Sequence, residues 1–194
     1  IGFDHDTVES FEHQYRFITE AGIQSAMIGL LTALPKTPLY ERLKKEGRLN
    51  TMEDVNDMTQ LSTNVVPKSM PYDVMVDGYV ALYQRLLQDR EIALRVKRKL
   101  RHLATPAYRS VYRAHEALGI LARLIWRGIL PGGPRRVAWF LSTIPVWRLS
   151  VAPTVISEWV VALSMREFAE RRLASHVRHG QGHEATWHAM AQYE

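Results

Sequence analysis

From residue 69 onward the apolar residues recur at spacings of three and four, and prolines and glycines cut the run into helix-length pieces. That period lines one face of a helix and gives a strand no consistent inner face. Val74, Gly78, Leu82 and Leu86 form one stripe, with Tyr79 and Tyr83 beside it and Pro71 at its start. Ile92, Val96, Leu100 and Leu103 form a second, while Arg95, Lys97, Arg98, Lys99 and Arg101 make up the polar remainder. Pro106 opens a third helix reaching about Leu130, where Pro131-Gly132-Gly133-Pro134 breaks the chain. Pro134 opens a short helix to Ile144, Pro145 interrupts, and Pro153 begins a long helix to about Leu173. The tail beyond it is polar, with His176, His179, His183 and His188 around Gly180 and Gly182.

The first fifty residues read differently: strand end, helix, strand, helix. Asp6 or Thr7 caps a helix carrying Glu9 in its first turn and Val8, Phe11, Tyr15 and Ile18 as its stripe. Ala21-Gly22 stops it. Residues 23–31 are a short apolar run containing Gly29, which reads as a buried strand. Thr37 then caps a helix with Pro38 in its first position, and Gly47 ends it. This order is a βαβ-type unit of a parallel sheet, so further strands are expected before it. Residues 48–70 lack periodicity and read as loop, extended near Pro67.

The chain contains no cysteine, which excludes disulfides, thiolate zinc sites and any cysteine-ligated cluster within it. With 46% hydrophobic and 23% charged residues it belongs among globular rather than disordered chains. No uncharged apolar run reaches the length of a membrane span. The charge is segregated. Residues 1–84 hold 7 Lys/Arg and 12 Asp/Glu, residues 85–148 hold 14 and 3, and residues 149–194 hold 4 and 5. A block of that kind suggests an anionic partner. Triad spacings, Gly-rich phosphate loops and His-Glu-x-x-His are all lacking, so hydrolytic or nucleotide-binding chemistry has no support.

Ile1-Gly2-Phe3-Asp4-His5-Asp6-Thr7 resembles the end of a late barrel strand in radical S-adenosylmethionine (SAM) enzymes, a Gly-aromatic-x-x-(Glu/Asp)-Thr pattern. Leu34-Pro35-Lys36-Thr37-Pro38-Leu39-Tyr40 is similar to the turn after the next strand, although that family has Gly where Lys36 stands. Asn64-Val65-Val66-Pro67-Lys68, followed by Gly78-Tyr79, resembles the helical C-terminal extension of the members with an N-terminal cobalamin-binding domain. The resemblance is good over residues 1–87 and weak beyond. It implies a mainly α (α+β) fold: a short βαβ remnant of a TIM-type barrel followed by a multi-helix bundle. Residues 1–50 would be the barrel remnant, 51–70 a linker loop, 71–175 the helical domain and 176–194 a polar tail. The chain is then expected to be the C-terminal portion of a radical SAM enzyme, cobalamin-dependent and of the methyltransferase kind, not active alone. Its partners would be the N-terminal barrel and cobalamin-type domain of the same polypeptide. SAM, a 4Fe-4S cluster on a Cys-x3-Cys-x2-Cys motif, and cobalamin would belong to that longer protein, with none held by this chain alone. The resemblance places Gly2, Phe3 and Asp4 near SAM, with Leu30, Leu31 and Thr32 on the neighbouring strand. The bland alternative makes Phe3 and Leu30 core residues and Asp4 part of a loop.

Three other features carry paired readings. His5 between Asp4 and Asp6 looks like a metal cluster, but neighbours on an extended loop point apart, so helix-start acids and a surface His are preferred. His179 and His183 lie four apart, yet the intervening glycines favour a frayed terminus over a metal pair. Arg95, Lys97, Arg98, Lys99, Arg101, Arg109 and Arg113 offer phosphate contacts, and Trp126, Trp139, Trp147 and Trp159 lie among apolar residues with Arg123, Arg127, Arg135, Arg136 and Arg148 nearby. Such faces suit an anionic membrane surface. An ordinary helical domain with Trp in the core is preferred over that, and membrane over nucleic acid, for which no recognition signature exists. No signal-peptide pattern opens the chain, and the expected location is cytoplasmic, with attachment at the membrane periphery as the basic block's contribution. A non-catalytic helical interaction or membrane-surface docking module is the alternative to the enzyme reading.

Overall fold

A computed structural model describes residues 1–50, 63–103, 114–146 and 148–190, with only the backbone given for residues 114, 149 and 172–190. The α-helices are α1 (Glu9–Glu20), α2 (Pro38–Lys45), α3 (Tyr72–Leu86), α4 (Asp89–His102), α5 (Ala114–Arg123), α6 (Gly133–Leu141) and α7 (Ala152–Met190). A π-turn (Leu124–Ile129) and a 3-10 turn (Leu130–Gly132) join α5 to α6. The start of the third expected helix at Pro106, most of the expected linker, Arg109, Arg113 and Trp147 lie outside the described residues.

Punctuation places the helix ends. Thr37 Oγ1 accepts from the Tyr40 amide and Pro38 takes the first turn of α2. Gly22 and Gly47 follow α1 and α2 at φ 69° and 66°. In each case the residue after the glycine donates its amide five residues back, Ile23 to Ile18 and Arg48 to Leu43. Lys36 stands at φ 68°, the left-handed position where the resembled turn has Gly, and a side chain there costs about 1 kcal/mol. Helix α7 runs well past Leu173, so the expected frayed tail is helical in its backbone as far as Met190.

The chain divides into two compact units. Unit 1 comprises Ile1–Glu12, Ile28–Leu82 and Glu167–Glu194. Its core contains Ala33, Leu43 and Val65, with Leu31, Leu39, Tyr40 and Leu49 packed around them. Buried Phe11 lies against Gly78, so closely that a Cβ on Gly78 would come 2.6 Å from its ring.

The expected βαβ remnant of a barrel is not there: the described residues contain no β-strand, only an isolated antiparallel bridge between Leu49 and Val65. The apolar run is extended but meets the opening residues at one place, where Ile1 N donates to Gly29 O (2.8 Å) and Leu31 N to Ile1 O (2.6 Å). Side chains take two of its carbonyls and bracket Ala33 just beyond it. Tyr79 Oη donates to Ile28 O (2.9 Å) and the Thr63 hydroxyl to Leu31 O. The Asn64 amide brackets Ala33, accepting from its N–H at 2.9 Å and donating to its C=O at 2.8 Å. A strand grows only when a partner backbone pairs along several residues, and here side chains supply the bonds. Nor is the run wholly buried, since Ser25, Met27 and Gly29 alternate outward.

Unit 2 comprises His13–Met27 and Tyr83–Arg166. Its core joins Ile92, Ala93 and Val96 of α4, Leu124 and Ile129 of the π-turn, Phe140 of α6, and Val155, Trp159 and Ala162 of α7. Trp159 is fully buried, edge-on to Phe140 at 5.6 Å, and donates from Nε1 to Thr143 Oγ1 (3.1 Å). Arg95, read as part of the polar face of α4, is 1% exposed. Its Nη1 donates to Leu86 O (2.7 Å) and its Nε to Gln24 Oε1 (3.0 Å), while Gln24 Nε2 donates to Ile92 O (3.0 Å). Burial lowers its pKa to about 10, so it remains charged at neutral pH. Neighbouring Glu91 is also buried and accepts from Tyr15 Oη at 2.7 Å.

Candidate functional site

The residues singled out at the start of the chain meet those of the apolar run in unit 1. Gly2 sits at φ 110°, and a Cβ on it would lie 3.3 Å from Leu31 Cβ and from Met75 Sδ. Only glycine combines that torsion with so close an approach. Asp6 holds the turn: its Oδ2 accepts from the amides of Gly2 (2.9 Å) and Phe3 (3.0 Å), and its own amide donates to Phe3 O (3.0 Å). The carboxylate expected as a helix cap therefore faces backward along the chain. Phe3 is left 60% exposed, so it is not a core residue. Leu30, Leu31 and Thr32 are half-buried, Leu31 against the unit 1 core, with the Thr32 hydroxyl 3.5 Å from Leu30 O.

Asp4 is drawn into an ion cluster. Arg42 Nη1 lies 2.5 Å from Oδ2 and Arg48 Nη1 2.8 Å from Oδ1, while Ser69 Oγ donates to Asp4 O at 2.9 Å. Hydrogen bonds from Arg42 and then Arg48 hold the carboxyl at a pKa of about 2. It is a permanent anion at neutral pH, suited to fixing loops rather than to moving protons. Arg48 is itself tied to Val66 O (3.0 Å) and Glu46 (2.8 Å), but its Nη2 is buried with no acceptor. The cluster thus keeps an unspent donor beside the turn.

Sequence reasoning brought Gly2 and Leu31 together and missed Arg42, Arg48, Thr63 and Tyr79. Their roles depend on partners dozens of residues away, for which no local pattern exists. His5 is exposed, and no group of metal-ligating side chains gathers among the described residues.

Of the chain's five tryptophans, the four set among apolar residues near the basic block divide. Trp159 is core, Trp139 is half-buried with Lys97 Nζ 5.9 Å from its ring centre, Trp126 is 73% exposed, and Trp147 lies outside the described residues. No helix among the described residues is long and apolar enough to cross a membrane.

Residues 37–177 match a family described as a domain of unknown function, DUF4070. The chain is similar to a hopanoid C-2 methylase of Rhodopseudomonas palustris, 30% identical over 146 residues, which is 72% of this chain and 26% of that protein. It is also similar to a Synechocystis protein named uncharacterized methyltransferase sll1242, 28% identical over 131 residues, covering 66% of this chain and 24% of that protein. The chain therefore spans about a quarter of the length of the curated relatives it matches. No solved structure matches.

Proposed function

Because the chain belongs to the DUF4070 family and is similar to proteins named as methylases, we propose that it is the C-terminal portion of a radical SAM methyltransferase, cobalamin-dependent. The observation that carries this reading is the 30% identity to a named methylase, together with the ordered motifs of residues 1–87. The residues present do not fit the iron–sulfur cluster, since there is no cysteine to ligate it. SAM fits better: the exposed Phe3 ring and the half-buried Thr32 hydroxyl offer an apolar face and a polar contact near the Gly2 turn. Gly2, Phe3, Leu30, Leu31 and Thr32 would hold one side of it, and Asp4 would fix the turn through Arg42 and Arg48. When bound to a reduced cluster, SAM supplies the radical chemistry. This chain's part is to wall the pocket and, with its helices, to shape substrate access.

The reading frame around Ile1 is the first test. It should continue upstream through Cys-x3-Cys-x2-Cys, and a start codon immediately before Ile1 would overturn the proposal. The second is anaerobic reconstitution of the polypeptide from that whole frame. It should cleave SAM to 5′-deoxyadenosine, and Phe3→Ala should raise the KM for SAM. A reconstituted cluster that leaves SAM intact would count against the assignment.

A further inference from the structure

Between Glu116 and Glu158 the chain carries no acidic residue and five arginines. Two of these are spent inside unit 2: Arg136 binds Asp89 (3.0 Å) and Gly128 O (2.9 Å), and Arg148 donates to Leu103 O (2.9 Å). Arg123, Arg127 and Arg135 are exposed and pair with no acid among the described residues.

The π-turn decides what accompanies them. Leu124 and Ile129, five residues apart, both reach the core, as a π-turn's wider spacing allows. Gly128 faces inward between them, where a Cβ would come 2.8 Å from Leu163 Cδ1. The extra residue in the turn sends Trp126 outward to 73% exposure. Leu118 (66%), Leu130 (47%) and Ile125 (36%) share that outer stripe by their spacing, so apolar side chains cover the face turned away from the core. Arg123 and Arg127, one turn apart, flank the stripe, and Arg135 begins the adjoining α6.

We propose that this face, from α5 through the π-turn to the start of α6, is a docking surface for an anionic lipid bilayer. The combination fits that occupant on two counts. Apolar side chains with a tryptophan can enter the acyl boundary while flanking guanidiniums reach phosphates. From Ala117 through the start of α6 no acid opposes a negative surface, Glu116 lying in the first turn of α5 before that stretch. A second copy of the chain would set arginines against arginines. The helix lies in the interface and does not cross it, in keeping with the absence of a spanning helix among the described residues. The proposal does not depend on the methyltransferase reading.

The test is sedimentation of the 194-residue chain with vesicles of 3:1 phosphatidylcholine and phosphatidylglycerol, in 20 mM and 300 mM NaCl, with pure phosphatidylcholine vesicles alongside. Binding is expected to the mixed vesicles at low salt, weaker at high salt and weakest to phosphatidylcholine. The triple variant R123Q/R127Q/R135Q should bind on the order of a hundredfold more weakly. L118S/W126S should lose roughly tenfold or more, and the blue shift of tryptophan emission on binding should be reduced in W126F. All substituted side chains are exposed, and circular dichroism checks that each variant keeps its helix content. A control with three cations removed elsewhere, K44Q/K45Q/R101Q, should lose far less. No binding of the wild type at low salt, an equal loss in the control, or full binding by L118S/W126S would each overturn the proposal. So would self-association that these same variants abolish in the absence of vesicles, since the face would then belong to a second copy.

Discussion

Two guanidiniums converge on Asp4, and its carboxylate stays ionised down to about pH 2. Its ordinary value is 3.8, so on acidification the unfolded chain takes up the proton first. The stabilising contribution of the cluster is therefore complete above about pH 3.8 and is lost as pH falls toward 2. Acid titration followed by circular dichroism should show a steeper loss of stability between those values for the wild type than for Asp4→Asn. Parallel profiles would mean that the pairs do not persist in solution. Lys36 makes the opposite kind of residue-level case. Its left-handed φ of 68° costs the folded state, and Lys36→Gly relieves that cost while loosening the unfolded chain. The net expectation is a small gain, up to roughly 0.5 kcal/mol, in a urea titration, with no gain for Lys36→Ala, which keeps the Cβ.

At the scale of elements, Gly78 separates propensity from packing. Glycine inside a helix ordinarily costs about 1 kcal/mol relative to alanine, so Gly78→Ala in α3 would stabilise an isolated helix. Here the added methyl would meet the Phe11 ring at 2.6–3.0 Å, and buried Phe11 has little room to yield. The variant should lose about 1–3 kcal/mol instead, and Phe11→Leu in the same chain should recover part of that loss. A simple gain in stability would show that the ring moves aside freely. The same contrast explains what could be read from the sequence. Caps and stops are local, so Thr37-Pro38, Gly22, Gly47 and Pro71 marked their helix ends correctly. The apolar run of residues 23–31 also looked like a strand locally. Its status depended on what its carbonyls would meet, and Thr63 and Tyr79 meet two of them from far along the chain, as Asn64 meets Ala33 just beyond the run. Arg95 was misplaced for the same reason: a helix wheel shows its charge but not the Gln24 and Leu86 oxygens that receive it. In the candidate site, the family-like motif read Gly2 and Phe3 as a strand end, where the chain instead turns on the Asp6 carboxylate, and nothing local to Asp4 foretold its arginines.

At the scale of the whole molecule, the charge division follows the structural one. The segment Tyr83–Arg166 carries 15 Lys/Arg and 4 Asp/Glu, and Arg16 and Glu20 cancel in the remainder of unit 2, so that unit bears +11 of a chain whose total is +5. Unit 1 is correspondingly −6. Two electrostatic effects then compete within unit 2. Its ion pairs, Arg136 and Arg166 with Asp89 and Lys99 with Glu158, stabilise it by at most about 1 kcal/mol each where they reach solvent, and salt weakens them. The excess of like charge destabilises it, and salt weakens that as well. The screening length shrinks from about 30 Å at 0.01 M to about 8 Å at 0.15 M. The short pairs are less affected by that change than the longer-range repulsion among the remaining cations. Raising NaCl from about 10 to about 150 mM should therefore raise the Tm, followed through buried Trp159. The gain should be smaller in a variant with Arg123, Arg127 and Arg135 replaced by glutamine, since that removes three contributors to the repulsion. A Tm that falls with salt would place the balance with the ion pairs instead, and the segregated charge of unit 2 would then cost the fold little.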